Sequence, residues 1–191
     1  MFASGALRRA HVMLLLVIAL GGASLPLPAF AAAAGAADTV AVSEIVGTVK
    51  RVLDGDSLVL RADGREVEVR LAEIDTPEKG QPYADSSRKA LQGMVLGRRV
   101  RLEVIDIDRY GRTVARVYRL PDGTWINGEM VARGHAWAYR RYVKDRRLYD
   151  FEREARAGKI GLWALPESEQ EPPWRWRREH PPQHAHPAPA Q

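Results

Sequence analysis

The run Glu66-Val67-Glu68-Val69-Arg70-Leu71 alternates charged and apolar residues with a period of two, which is the signature of a strand with one buried face and one wet face. Such a strand needs neighbours, because its backbone must pair and its apolar face must be covered. The flanking sequence supplies them. Ile45, Val46, Val49 and Val52 form one short apolar run, and Leu58-Val59-Leu60 forms a second, with Asp54-Gly55-Asp56 as the turn between them. Gly47 marks a bulge or bend in the first run. Ala62-Asp63-Gly64-Arg65 is a hairpin signal leading into the alternating strand, which ends near Asp75 because Pro77 enforces an extended or turn conformation. Val100, Leu102, Val104 and Ile105 give a fourth strand, Tyr110-Gly111 a turn, and Val114 to Tyr118 a fifth.

Helical spacing enters between and after these strands. Asp85 is positioned to cap a helix whose apolar face is Ala90, Leu91, Met94 and Val95, closed by Gly97. Asn127 to Arg133 forms a short helix ended by Gly134, and Asp145 to Ala157 a longer one with Leu148, Phe151 and Ala155 on one stripe. Five strands with a helix after the third suit an α+β fold, a five-stranded Greek-key barrel of the OB type with three helices, since closure removes exposed edges. A split sheet with helices on one face is the alternative.

The ends differ in character. Arg8 and Arg9, the apolar run Val12 to Leu20 and the small residues up to Ala31 have the layout of a secretory signal peptide. An uncleaved anchor is the competing reading, but the run is shorter than the roughly 20 residues a membrane helix needs. Residues 1–31 are therefore expected to be a leader, 32–42 a linker, 43–163 the folded domain and 164–191 a tail rich in Pro, Trp, Arg and His. Proline density favours an extended tail, in which Trp174 and Trp176 fold back onto the domain or stack on bases. His180, His184 and His186 are read as incidental. Removing the leader takes away two Arg and no acid, so the net charge falls from +5 to +3 and is weak support for a polyanionic partner. The absence of Cys excludes thiol nucleophiles, Cys-ligated metals and disulfides together.

The residues capable of chemistry sit at strand ends: Asp54 and Asp56, then Arg70, then Asp75, Thr76 and Glu78, then Asp108, Arg109 and Arg112. Each cluster alone reads as a turn or loop. Together they form an inventory for phosphodiester hydrolysis. Asp56 and Asp75, with a backbone carbonyl and waters, suit an open Ca²⁺ site; Glu78 can act on a water; Arg70 and Arg112 can bind phosphate oxygens. His135 is the one histidine inside the domain, so an imidazole base is scarcely on offer.

Val52-Leu53-Asp54-Gly55-Asp56-Ser57, then Arg70-Leu71-Ala72-Glu73-Ile74-Asp75-Thr76-Pro77-Glu78, then Asp108-Arg109-Tyr110-Gly111-Arg112, with Gly161-Leu162-Trp163 closing the domain, resemble the staphylococcal nuclease (thermonuclease) family. The resemblance covers about residues 43–163. It implies an OB barrel with three helices and Ca²⁺-dependent cleavage of DNA and RNA to 3′-phosphate products. Asp56 and Asp75 match the carboxylate ligands, Thr76 the residue giving a backbone carbonyl, Glu78 the general base, and Arg70 and Arg112 the phosphate-binding arginines. Tyr139 and Tyr142 resemble the tyrosines that bind the nucleotide, and Arg109 and Tyr110 flank the phosphate arginine. Ser57 replaces a Thr of the best-known member, and the connection Lys79 to Tyr83 is shorter than in that member.

The expectation is an exported nuclease, periplasmic or secreted, acting as a monomer on DNA and RNA with a preference for single strands and with no stable membrane insertion after processing. The alternative is a noncatalytic nucleic-acid-binding barrel. Three carboxylates near one phosphate disfavour it, because they repel the ligand unless a cation intervenes. A partner-binding role for the tail is compatible with either.

Overall fold

The computed structural model describes residues 44–181, so the leader, the linker, His184 and His186 lie outside the described residues. The elements run β1 (Glu44–Val52), β2 (Ser57–Ala62), β3 (Arg65–Leu71), β4 (Ile74–Asp75), α1 (Ala84–Val95), β5 (Arg99–Ile107), β6 (Thr113–Arg119), α2 (Ile126–Ala132), β7 (Trp137–Ala138), α3 (Arg147–Ala157) and α4 (Pro173–Glu179). Short 3₁₀ turns cover Gly161–Ala164 and Glu167–Glu169.

Strands β1, β2, β3, β6 and β5 close into a barrel in that order. All neighbours are antiparallel except β3 and β6, where Val69 registers with Thr113 and Leu71 with Ala115. This is the α+β, OB-type barrel expected, and closure leaves no unpaired edge among its five strands. The alternation in β3 comes out as written: Val69 and Leu71 are buried, while Glu66 and Glu68 face solvent. Leu58, Leu60, Val100, Leu102, Ala115 and Val117 fill the barrel, and Leu91, Val95, Met130, Val131 and Leu148 seal it from the helices.

Four local expectations change. Gly47 does not make the bulge; the register shift of β1 lies between Val49 and Arg51, and at Gly47 a Cβ would collide with the Leu60 side chain and the Arg61 backbone. Asp85 lies in the first turn of α1 instead of capping it, and Tyr83, at φ 72°, holds the N-cap position. The two-residue strands β4 and β7 form a separate antiparallel pair, Ile74 with Ala138 and Asp75 with Trp137. Finally, the expected extended tail contains a fourth helix. Pro172 and Pro173 occupy the N-cap and first helical positions of α4, where a missing N–H costs nothing because those donors have no helical partner.

Candidate active site

The turn between β1 and β2 brings the first carboxylate into place. Asp54 Oδ1 accepts a hydrogen bond from the Asp56 N–H at 2.9 Å, and the Leu71 N–H donates to the Asp56 carbonyl at 2.7 Å, so the turn is locked onto the end of β3. Glycine is required between the two aspartates: a Cβ on Gly55 would lie 2.8 Å from the Thr76 side chain. That close approach lets the Thr76 N–H donate to Asp56 Oδ2 at 3.1 Å. The second carboxylate, Asp75, is fixed by the β4–β7 pair and is 1% exposed.

Arg70 joins them. Its Nη2 lies 3.3 Å from Asp56 Oδ2 and 3.1 Å from Asp75 Oδ1, and also donates to the Ile74 carbonyl at 3.3 Å. Burial works against its charge, but the two carboxylates more than offset that and stabilise the cation. For Asp56 the balance runs the other way. Burial drives its pKa up to about 7, opposed by Arg70 and reinforced by the neighbouring charges of Asp54 and Asp75. The corner thus gathers more carboxylate than Arg70 alone balances; in this structure Arg177 of α4 sets a second guanidinium against Asp75, and a hard cation that prefers oxygen would suit the same donors. Among the described residues no group of three or more His, Asp or Glu side chains is placed to hold a metal ion, so any cation here would rest on two carboxylates completed by other oxygens. Asp56, Asp75 and the Thr76 carbonyl would leave coordination positions for water and substrate.

Glu78 lies beyond Pro77 on the loop after β4, with its side chain 39% exposed. Its backbone N–H donates to Gln81 Oε1 at 2.9 Å, which holds the loop. Its carboxylate is tied to Asp75 through one guanidinium, that of Arg177 in α4. Arg177 Nη1 contacts Glu78 Oε1 at 2.5 Å and Asp75 Oδ1 at 3.1 Å, while Nη2 reaches Asp75 Oδ2 at 2.7 Å. Sequence reasoning missed Arg177, because its partners are about a hundred residues away in the chain.

Arg112 precedes β6 directly, next to the Thr113 that registers with Val69. Its side chain is held by Asp108, Nε to Oδ2 at 2.8 Å, and makes no hydrogen bond to the Asp56–Asp75–Glu78 group. Arg109 and Tyr110 share the same turn; Arg109 Nη2 donates to the Tyr110 hydroxyl at 2.7 Å, and Tyr110 projects into solvent.

The aromatic residues lie on the loop after β7. Tyr139 packs edge-on against Tyr142 at 4.8 Å between centroids, and stacks in parallel with Trp174 of α4 at 5.6 Å and 2°. Glu73 positions this loop. At φ 67° it turns the chain between β3 and β4, its carbonyl accepts the Tyr139 N–H, and its buried carboxylate accepts the Lys144 and Asp145 N–H groups at 2.6 and 2.8 Å. Burial raises its pKa, but Arg116, at 2.7 Å, and the two N–H donors outweigh this and hold it below the usual carboxylate value. The signal available in sequence was an acid inside the apolar run Leu71-Ala72-Glu73-Ile74.

Comparison with known proteins returns the same family as the motifs. Residues 68–165 match the model described as staphylococcal nuclease homologue. A micrococcal nuclease of Shigella flexneri is 41% identical over 141 residues, 69% of this chain and 80% of that protein. Protein ParB of Escherichia coli is 38% identical over 181 residues, covering 90% of this chain and 94% of the relative. An uncharacterized endonuclease of Escherichia coli O157:H7 is 41% identical over 138 residues, 72% of this chain and 88% of that protein.

Proposed function

Because the chain belongs to the staphylococcal nuclease family, we propose that its nuclease activity is calcium-dependent hydrolysis of DNA and RNA to 3′-phosphate products at the Asp56–Asp75–Glu78 corner. The observation that carries this reading is the placement of two buried carboxylates on one Arg70 Nη2, with a third, more exposed carboxylate beside them. Ca²⁺ bound by Asp56, Asp75 and the Thr76 carbonyl would supply the positive charge that offsets the negative charge gathering on the phosphate.

The chain's own residues do the rest. Arg70 presents a planar fork of donors to a nonbridging oxygen, a task for which Lys is no substitute. Glu78 takes a proton from the attacking water onto its carboxylate as the water oxygen bonds to phosphorus. The bond to the 5′-oxygen breaks, Arg112 lowers the energy of that departing oxygen by its charge, since a guanidinium is too weak an acid to protonate it, and the oxygen takes its proton from solvent water to leave as the 5′-hydroxyl. Tyr139 and Tyr142 offer stacking faces to unpaired bases, with Arg109 and Tyr110 at the neighbouring turn, which favours single strands without reading sequence. The leader reading makes the protein exported, to a periplasm or beyond; among the described residues no helix is long and apolar enough to cross a membrane. A noncatalytic binding barrel is disfavoured by the three acids, which a pure phosphate binder has no use for.

The test is degradation of single-stranded DNA and RNA by the purified chain with Ca²⁺, with Mg²⁺ and with a calcium chelator. Cleavage in Ca²⁺ that stops with chelator and leaves 3′-phosphate ends supports the reading. Salt-sensitive binding without cleavage in either metal refutes it in favour of the binding module.

A further inference from the structure

The C-terminal helix occupies both halves of the site at once. Arg177 sets a cation against Asp75 and Glu78, the proposed ligand and the proposed base, in a bidentate contact with Asp75. Three residues earlier on the same short helix, Trp174 lies parallel on Tyr139, the stacking face assigned to a base. The segment is anchored as well as laid down. Gln81 donates from Nε2 to the Glu171 carbonyl at 2.5 Å while its Oε1 accepts the Glu78 N–H, so one buried amide ties the tail to the loop of the base. Pro173 is buried, and Trp174 packs beside the Trp137, Leu162 and Trp163 cluster.

We propose that α4 is an intramolecular competitor for the active site, with Arg177 in place of the metal ion and Trp174 in place of a nucleobase, and that calcium and nucleic acid each bind in competition with it. The proposal rests on the reading of the site given above. Asp75 Oδ1 already accepts from both Arg70 and Arg177, and its Oδ2 from Arg177, so both oxygens are engaged. A divalent ion entering beside the Arg177 guanidinium meets a like charge in a poorly solvated corner. Glu78, held by the same guanidinium, is not free to accept a proton from water. Because the competitor is tethered, it acts at the high local concentration of a short linker, and the apparent affinity for calcium falls by the fraction of time the site is open.

The experiment measures calcium affinity by titration calorimetry on the full chain, on Arg177→Gln and on Arg178→Gln, the last a control on the same helix that makes no ion pair among the described residues. A closed fraction of about nine-tenths predicts that Arg177→Gln binds calcium about tenfold more tightly, with Arg178→Gln unchanged. A second measurement needs no variant. Amide exchange across Pro172–His180 is followed in the unmodified protein as calcium and a short phosphorothioate oligodeoxynucleotide are added, and protection of α4 is expected to fall. Equal calcium affinity in the full chain and Arg177→Gln, or α4 protection that stays or rises on oligonucleotide binding, overturns the proposal. If that happens while calcium-dependent cleavage persists, only the tail reading fails. If neither chain binds calcium and neither cleaves, the reading of the site fails with it.

Discussion

At the scale of single residues, the site depends on side chains that hold other side chains. Glu73 touches no proposed ligand, yet its carboxylate joins Arg116 on β6 to the loop that carries Tyr139 and Tyr142. Replacing it by Gln keeps the shape but leaves Arg116 without full compensation and weakens two charge-assisted bonds. The expected loss is about 2–4 kcal/mol of stability, read as a lower denaturation midpoint at unchanged slope. A loss under about 0.5 kcal/mol, the range of an ordinary surface change, contradicts this. Glu73 also marks where sequence reasoning stopped: its acid inside an apolar run was visible, but its partners at Arg116 and Lys144 were fixed only by folding. The Asp-Gly-Asp turn was legible for a different reason. Its glycine serves a local geometry, and the contact with Thr76 that makes glycine mandatory adds to a signal already strong.

At the scale of elements, polar side chains buried between layers set how the helices seat. Asn127 on α2 is fully buried, accepts the Val117 N–H at 2.8 Å and donates to the Ala72 carbonyl at 2.9 Å, pinning the helix to β6 and to the corner leading to Asp75. Asn127→Ala strands those backbone groups, and a cost of about 1–3 kcal/mol is expected by chemical denaturation; an unchanged midpoint would remove the pin from the account. His135 links α1 to the segment before β7, its Nδ1 lying 3.0 Å from the Tyr83 hydroxyl. Burial, aided by the charge of Arg133, holds its pKa below the ordinary 6.5. The unfolded chain therefore binds this proton more readily than the folded one, so the stability contribution is present above about pH 6.5 and is lost as the pH falls through the folded value. His135→Gln should flatten part of that decline, and identical slopes in both proteins would count against it. Strand β3 and the helices α2 and α3 were readable because each repeats a period over seven or more residues. The β4–β7 pair was not, because two residues carry no period, and α4 was obscured because its prolines sit at the one end of a helix that tolerates them.

At the scale of the whole molecule, positive charge gathers where the proposed substrate runs. Arg140, Arg141, Lys144 and Arg146 are exposed on the loop around Tyr139 and Tyr142. Binding of single-stranded nucleic acid should weaken with salt, with a log–log slope of about −0.7 per phosphate contacted, measured by anisotropy on an oligonucleotide in calcium. A flat salt response would place the interface elsewhere. The net charge of +5 gave little warning of this, since what matters is its concentration beside the aromatic loop, which only the fold reveals. The central claim concerns Glu78, and the most direct measurement is single-turnover cleavage of single-stranded DNA in saturating calcium by the unmodified chain and by Glu78→Gln. The account predicts that substrate binding is retained while the cleavage rate falls about 10²–10⁴-fold, the range for loss of a general base. A Glu78→Gln rate within about threefold of the unmodified chain, well short of that range, would contradict it.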